Sequence, residues 1–166
     1  MNILACGRQR SIGSMELNQL TIKKMETNDL DEVLDMEASS SLTPWSKNLF
    51  AEEMKNPFAY CFIIQMKGTS KNQVMGFICF RKIGDESELL NLCVHPQYRQ
   101  MGIGKKLMLF YIGFSRKMKI KTFYLEVNAL NQPAVHLYRH FSYQSLGMRR
   151  KFYQGKFDAL LMTKKA

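Results

Sequence analysis

Residues 91–107 read NLCVHPQYRQMGIGKKL. An apolar strand ends here at Val94, His95-Pro96 stops its pairing, and Gly102 and Gly104 open a long helix. Proline has no N–H to give to a sheet ladder, and glycine lets main-chain amides come close to a ligand. A helix N-terminus presents unpaired N–H donors and partial positive charge. Strand, two-glycine turn and helix mouth together form a cradle suited to a pyrophosphate, and Arg99, Lys105 and Lys106 add charge to it. Gln100, Met101 and Ile103 complete the turn. The spacing is not that of a Walker loop, and it lacks the third glycine of a dinucleotide fingerprint. A ligand-free strand-to-helix turn also uses glycine, so the rest of the chain has to choose between the two.

Upstream, Leu20–Met25 reads as an opening strand, and Asn28–Glu37 as a helix capped by Asn28 with Leu30, Val33 and Leu34 on one face. Pro44 breaks the chain, and Ser46 caps a second helix running through Met54. Three strand-like runs follow at Ala59–Met66, Gln73–Lys82 and Glu88–Val94. Turns at Lys67–Asn72 and Ile83–Glu86 make them an antiparallel meander. Downstream, Gly102–Met118 has Ile103, Leu107, Phe110, Tyr111 and Phe114 at helical spacing. Thr122–Val127 is a strand, joined across that helix to the one ending at Val94, so these two are parallel. Asn131 caps a last helix to His140, and Arg149–Tyr153 and Phe157–Met162 close the chain as strands. The expected fold is α+β (α/β mixed): a central mixed sheet of about six to seven strands with one parallel pair, flanked by about four helices.

The chain of 166 residues fits one domain over 20–166, with residues 1–19 expected as a frayed leader. No run of eighteen apolar residues predicts a membrane span, and no export signal is evident, so a cytoplasmic location is expected. Cys6, Cys61, Cys79 and Cys93 have neither zinc nor disulfide spacing. Residues 1–88 hold 10 basic and 12 acidic side chains, but residues 89–166 hold 14 basic ones against Glu126 and Asp158. So cationic a half attracts an anion, which could be a polyphosphate cofactor or nucleic acid.

Val94, Pro96, Arg99, Gly102 and Gly104 form V-x-P-x-x-R-x-x-G-x-G, which resembles the acetyl-CoA motif of GNAT acetyltransferases. Leu125–Tyr138, LEVNALNQPAVHLY, resembles L-E-V-x-x-x-N-x-x-A-x-x-L-Y of the bacterial RimI family, the ribosomal protein alanine N-acetyltransferases. Thr43-Pro44-Trp45-Ser46 with Phe50, and Arg149-Arg150 with Tyr153 and Asp158–Leu160, extend the likeness over roughly residues 20–164. Two positions depart from it: Ser142 stands where a turn glycine is usual, and Phe157 where a glutamate often stands.

The resemblance implies an acetyl-CoA cosubstrate, no metal, and transfer to an amine in a ternary complex. Leu92, Cys93 and Val94 would meet the acetyl and pantetheine groups through their backbone. The turn from Arg99 to Lys105 would hold the diphosphate, and Asn131 would cap its helix and bond the cofactor. Glu126, a carboxylate in an apolar strand, is the candidate base, since an ionised group there needs a role or a partner. Tyr138 is the candidate acid facing the sulfur, a phenol with an ordinary pKa near 10. Trp45, Phe50, Tyr143 and Tyr153 are candidates to line a peptide groove, and the implied acceptor is the N-terminal alanine of a small-subunit ribosomal protein. His136 and His140 are four apart, but no third metal ligand is evident. Two rivals stay open. One is acetylation of a small amine, which calls for a more acidic cleft than residues 89–166 suggest. The other is a nucleic-acid-binding module, against which the basic cluster Arg116, Lys117, Lys119, Lys121 lacks interleaved aromatic residues.

Overall fold

The computed structural model describes residues 19–66 and 73–166. The expected Lys67–Asn72 turn, and all but the last residue of the expected leader, lie outside them. The strands are β1 (Leu20–Lys24), β2 (Ala59–Met66), β3 (Val74–Ile83), β4 (Glu86–Val94), β5 (Thr122–Asn128), β6 (Gln144–Tyr153) and β7 (Phe157–Lys165). The helices are α1 (Leu30–Ser40), α2 (Lys47–Lys55), α3 (Ile103–Lys117) and α4 (Gln132–His140). One sheet runs in the order β1-β2-β3-β4-β5-β7-β6, antiparallel except for the parallel β4–β5 pair. The α+β reading with a single parallel pair therefore holds.

Alternation within the strands splits the core in two. On one face Ile64, Ile78, Phe80, Leu89, Phe123 and Leu125 meet Ile103, Leu107 and Tyr111 of α3 and Val135 and Tyr138 of α4. On the other, Cys61, Ile63, Phe77, Cys79 and Cys93 meet Val33 and Met36 of α1 and Phe50 of α2. Each large side chain so buried contributes about 1.5–3 kcal/mol. Helices α1 and α2 cover that second face, with their main contacts on β2, β3 and β4.

Local chemistry sets the helix ends. Ser46 caps α2 as expected, its Oγ accepting from Leu49 N at 3.2 Å. Asn131 does the same for α4, its Oδ1 accepting from Ala134 N at 3.3 Å. The expected cap at Asn28 is replaced by a 3-10 turn, Thr27–Asp29, ahead of α1. There Asp29 Oδ2 reaches back to Glu26 N at 2.8 Å, and Lys23 Nζ sits 3.1 Å from Asp29 Oδ1, so the acidic side chain wins the position. Strand β6 begins five residues before the expected Arg149. Its residues are exposed on both faces apart from Tyr153, so it carries no alternation to read. Ser142 takes φ 65°, the left-handed conformation its missing glycine would have supplied.

Candidate active site

The parallel pairing of β4 and β5 stops at Leu89 opposite Leu125. Beyond it the strands part. Leu90 is a bulge, since Cys79 pairs with Asn91 and Phe80 with Leu89, and the register shifts between them. Ile78, Phe77 and Gly76 of β3 still pair with Leu92, Cys93 and Val94. The opposite edge of those three residues therefore faces a crevice instead of a strand. A Cβ on Gly76 would come within 2.8 Å of the Cys93 carbonyl oxygen, so only glycine lets β3 lie this close to the splayed segment.

At the end of β4 the chain turns into the expected cradle. His95 Nδ1 accepts from Gln97 N at 3.2 Å, capping a 3-10 turn over Pro96–Tyr98. Gln100 has φ 62° and Gly102, the cap of α3, has φ 81°. The first helical bond runs from Lys106 N to Gly102 O at 2.9 Å, so the amides before it point out of the helix mouth. Packing by itself accounts for Gly104. A Cβ there would meet Leu137 Cδ2 at 3.3 Å and Val94 Cγ2 at 3.7 Å, so its bare backbone lets α4 pack on the mouth of α3. Arg99 donates to Val94 O at 3.2 Å and Ser40 Oγ at 2.8 Å, bracing the turn against α1 while its side chain stays exposed.

On the other side of the splay lies an open groove of about 730 Å³. Its walls include Leu92–Val94, Glu126, Asn131 and Tyr138, with Trp45, Phe152 and Tyr153 around them. Gln154 Nε2 donates to Leu42 O at 2.6 Å, tying the β6–β7 hairpin to the α1–α2 loop beside the groove. Tyr138 is 7% exposed, and burial pushes its phenol well above the ordinary value, so it keeps its proton at neutral pH. Burial and the Glu126 carboxylate likewise raise Tyr153. Burial raises the Cys93 thiol, whose Sγ points to the Met36 carbonyl at 3.9 Å, so Cys93 offers the crevice its backbone and not its sulfur.

Two expected groove residues are not there. Phe50 is fully buried, its ring 5.1 Å from Trp45 and 5.5 Å from Phe77, because it lies on the core face of α2. Tyr143 is 2% exposed, turned under α4 by the left-handed Ser142 to lie 6.0 Å from the Tyr138 ring. Trp45 and Tyr153 do line the groove. Sequence reading missed Glu37, which is 2% exposed and also lines it. Its Oε1 accepts from Trp45 N at 3.2 Å and Asn91 Nδ2 at 3.1 Å, and burial raises its pKa. The available signal was its place seven residues after Leu30, on the stripe that also holds Val33. With Glu88 and Glu126 it gives the groove three carboxylates, so the cleft is more acidic than the charge count of residues 89–166 suggests. Among the described residues no group of three His, Cys, Asp or Glu side chains could hold a metal ion, and no helix is long and apolar enough to cross a membrane.

The profile of the Acetyltransferase (GNAT) family matches residues 27–143, from the turn before α1 to the residue before β6. The chain belongs to the GNAT acetyltransferase family. It is an N-acetyltransferase, and the strand splay and α3 mouth belong to the matched region. Its curated relatives include the ribosomal protein bS18-alanine N-acetyltransferase of Escherichia coli, 29% identical over 146 residues that cover 86% of this chain and 95% of the relative. The enzyme of the same name from Salmonella typhimurium is 28% identical over 86% of this chain and 95% of its own. The crystal structure of the ribosomal-protein-S18-alanine N-acetyltransferase from Escherichia coli superposes with a TM-score of 0.79, covering 88% of this chain and 93% of that one. Ard1 from Thermoplasma volcanium, 22% identical, shares the fold at the same TM-score over 89% of this chain and 99% of its own.

Proposed function

We propose that this GNAT enzyme carries the acetyl group of acetyl-CoA to the α-amine of a protein N-terminus, the N-terminal alanine of a small-subunit ribosomal protein. The observation that carries this reading is the meeting, at one splay between β4 and β5, of a helix mouth made of backbone donors and a groove holding Glu126 and Tyr138. Relatives bearing that activity in their names match nearly their whole length.

The α3 mouth fits a diphosphate, because donors before Lys106 are unspent and Gly102 adopts a conformation that brings them together. The unpaired edge of Leu92–Val94 fits an extended amide-bearing arm, which would bond as an added strand does. Acetyl-CoA would supply an activated thioester. Glu126 takes the proton that the amine loses, and Tyr138, protonated at neutral pH, donates a hydrogen bond to the departing sulfur. Asn131 borders the groove while capping α4. Trp45 and Tyr153 hold the first residues of the acceptor. The cytoplasm, where ribosomal proteins are made, is the setting this reading requires.

Thiol release from acetyl-CoA tests it, with an alanine-initiated peptide compared against a polyamine. Release with the peptide is expected to dominate, and release with the polyamine alone would overturn the acceptor assignment. The three groove carboxylates favour that second reading, since a polycation needs counter-charge.

A further inference from the structure

Glu126 does not face the groove alone. Its Oε1 accepts from Arg149 Nη1 at 2.8 Å. The two residues come from strands that are not neighbours, because β7 lies between β5 and β6. Glu126 is opposite Leu161 of β7 and Arg149 is opposite Ala159, so both side chains rise from the same face, displaced along β7. Helices α1 and α2 make their main contacts on β2, β3 and β4, to one side of this pair. To reach Glu126, Arg149 leans across β7, and its guanidinium lies over the Phe152 ring at 4.2 Å, which restricts its angle. The pair is half open to solvent, with side-chain exposures of 52% for Arg149 and 26% for Glu126. A pair this exposed adds little to stability, which leaves its placement to be explained by something else.

The charges around the groove suggest what. Its described lining holds Glu37 from α1, Glu88 from β4 and Glu126 from β5, and no lysine or arginine. Tyr138 from α4 and Tyr153 from β6 face it as phenols. Glu37 is already bonded to Trp45 N and Asn91. Arg149 is the cation set against Glu126 at the rim. An α-amine has a pKa of about 7.7–8.0, so an arriving N-terminus is largely ammonium, which has no lone pair with which to attack. An opposite charge within about 4–6 Å favours the charged form by up to about 1–3 pK units. A bare Glu126 would therefore grip the acceptor in its unreactive form. Arginine opposes this with a charge that cannot be titrated away.

We propose that Arg149 is a positioning residue that pins Glu126 through Oε1 and cancels its charge, so that the acceptor settles in the groove as the neutral amine. The ammonium proton is left to solvent. When the nitrogen lone pair forms its bond to the acetyl carbon, the carbon–sulfur bond breaks and the coenzyme A thiolate leaves against the Tyr138 hydroxyl, while the one proton that nitrogen then sheds goes to the second carboxylate oxygen, Oε2. This rests on Glu126 acting as the base.

The test is steady-state kinetics of R149Q from pH 6 to 10, with an alanine-initiated peptide and saturating acetyl-CoA. The KM for peptide is expected to fall about threefold as the ammonium is gripped, and kcat at pH 7 to fall about tenfold. The midpoint of the kcat profile moves up by about one pH unit, so the variant regains wild-type turnover in alkali. R149K keeps the charge and restores the midpoint, with lower turnover because lysine lacks the planar fork. In an E126Q background R149Q moves the midpoint by nothing. A uniform loss of kcat in R149Q with an unmoved midpoint, or an equal shift in the E126Q background, overturns the proposal. Wild-type turnover in E126Q alone removes the base assignment underneath it, a failure distinct from that of Arg149.

Discussion

The two sides of the β4–β5 splay are made of different material. At the α3 mouth the chemistry is main-chain: amides before Lys106 and a cap at φ 81°, with Arg99 serving as a brace. In the groove it is side-chain, and the parts come from far apart: Glu37 from α1, Glu126 from β5 and Tyr138 from α4, with Arg149 of β6 paired to Glu126 at the rim. On the proposed reading the mouth would hold a diphosphate, which is the same in every reaction of its carrier, so a fixed cradle of backbone would serve it. An acceptor differs between enzymes, and side chains on separate elements can change without disturbing the fold. The comparison implies that the two sides fail separately when mutated.

The largest effect is expected in the groove. E126Q and Y138F each lower kcat by about 100-fold, while CoA affinity by calorimetry stays within about twofold of wild type. A parallel loss of CoA affinity would break the separation. At the mouth, G102V forces a β-branched residue to positive φ, at a cost of about 1–2 kcal/mol or more. CoA binding is expected to weaken by about tenfold or more, with kcat at saturation little changed. Away from both, S142G relieves the left-handed serine and should raise stability by about 0.5–1 kcal/mol in urea unfolding, with unaltered kinetics.

The smallest effect concerns Glu37. Its folded pKa is raised by burial, so the folded state binds the proton more tightly than the unfolded one. Stability is therefore lost as pH climbs from the ordinary 4.5 through the raised value. E37Q keeps an oxygen acceptor for Trp45 N and Asn91 and abolishes the ionisation. Its melting temperature should exceed that of wild type near pH 8, and the gap should close as pH drops below 4.5. A gap independent of pH would show that the carboxylate is not strained by burial.

Legibility followed the range of the interactions. Ser46, Asn131, the Gly102 cap and the strand β2 could be read from sequence because each depends on neighbours within a few residues. The cap expected at Asn28 failed even so, because Lys23 and Asp29 form a better local arrangement than spacing alone reveals. The first half of strand β6 is not legible in the sequence because the strand pairs with β7 alone and lies exposed on nearly its whole length, so no apolar alternation marks it. Phe50 and Tyr143 read from sequence as groove residues because an aromatic residue in the right segment looks alike whether it faces a ligand or the core. Which way a helix turns its faces depends on what packs against it.

Sequence alone determined the order of elements, the single parallel crossover and the glycine-capped mouth of α3, since periodicity and local backbone demands are written residue by residue, while Glu126 and Tyr138 were legible as candidates through a family resemblance. Tertiary structure decided that β4 and β5 part after Leu89 and Leu125, that a glutamate of α1 joins the groove, and that Arg149 reaches Glu126 across an intervening strand. Those are relations between segments up to a hundred residues apart, fixed only when the sheet brings its strands into register.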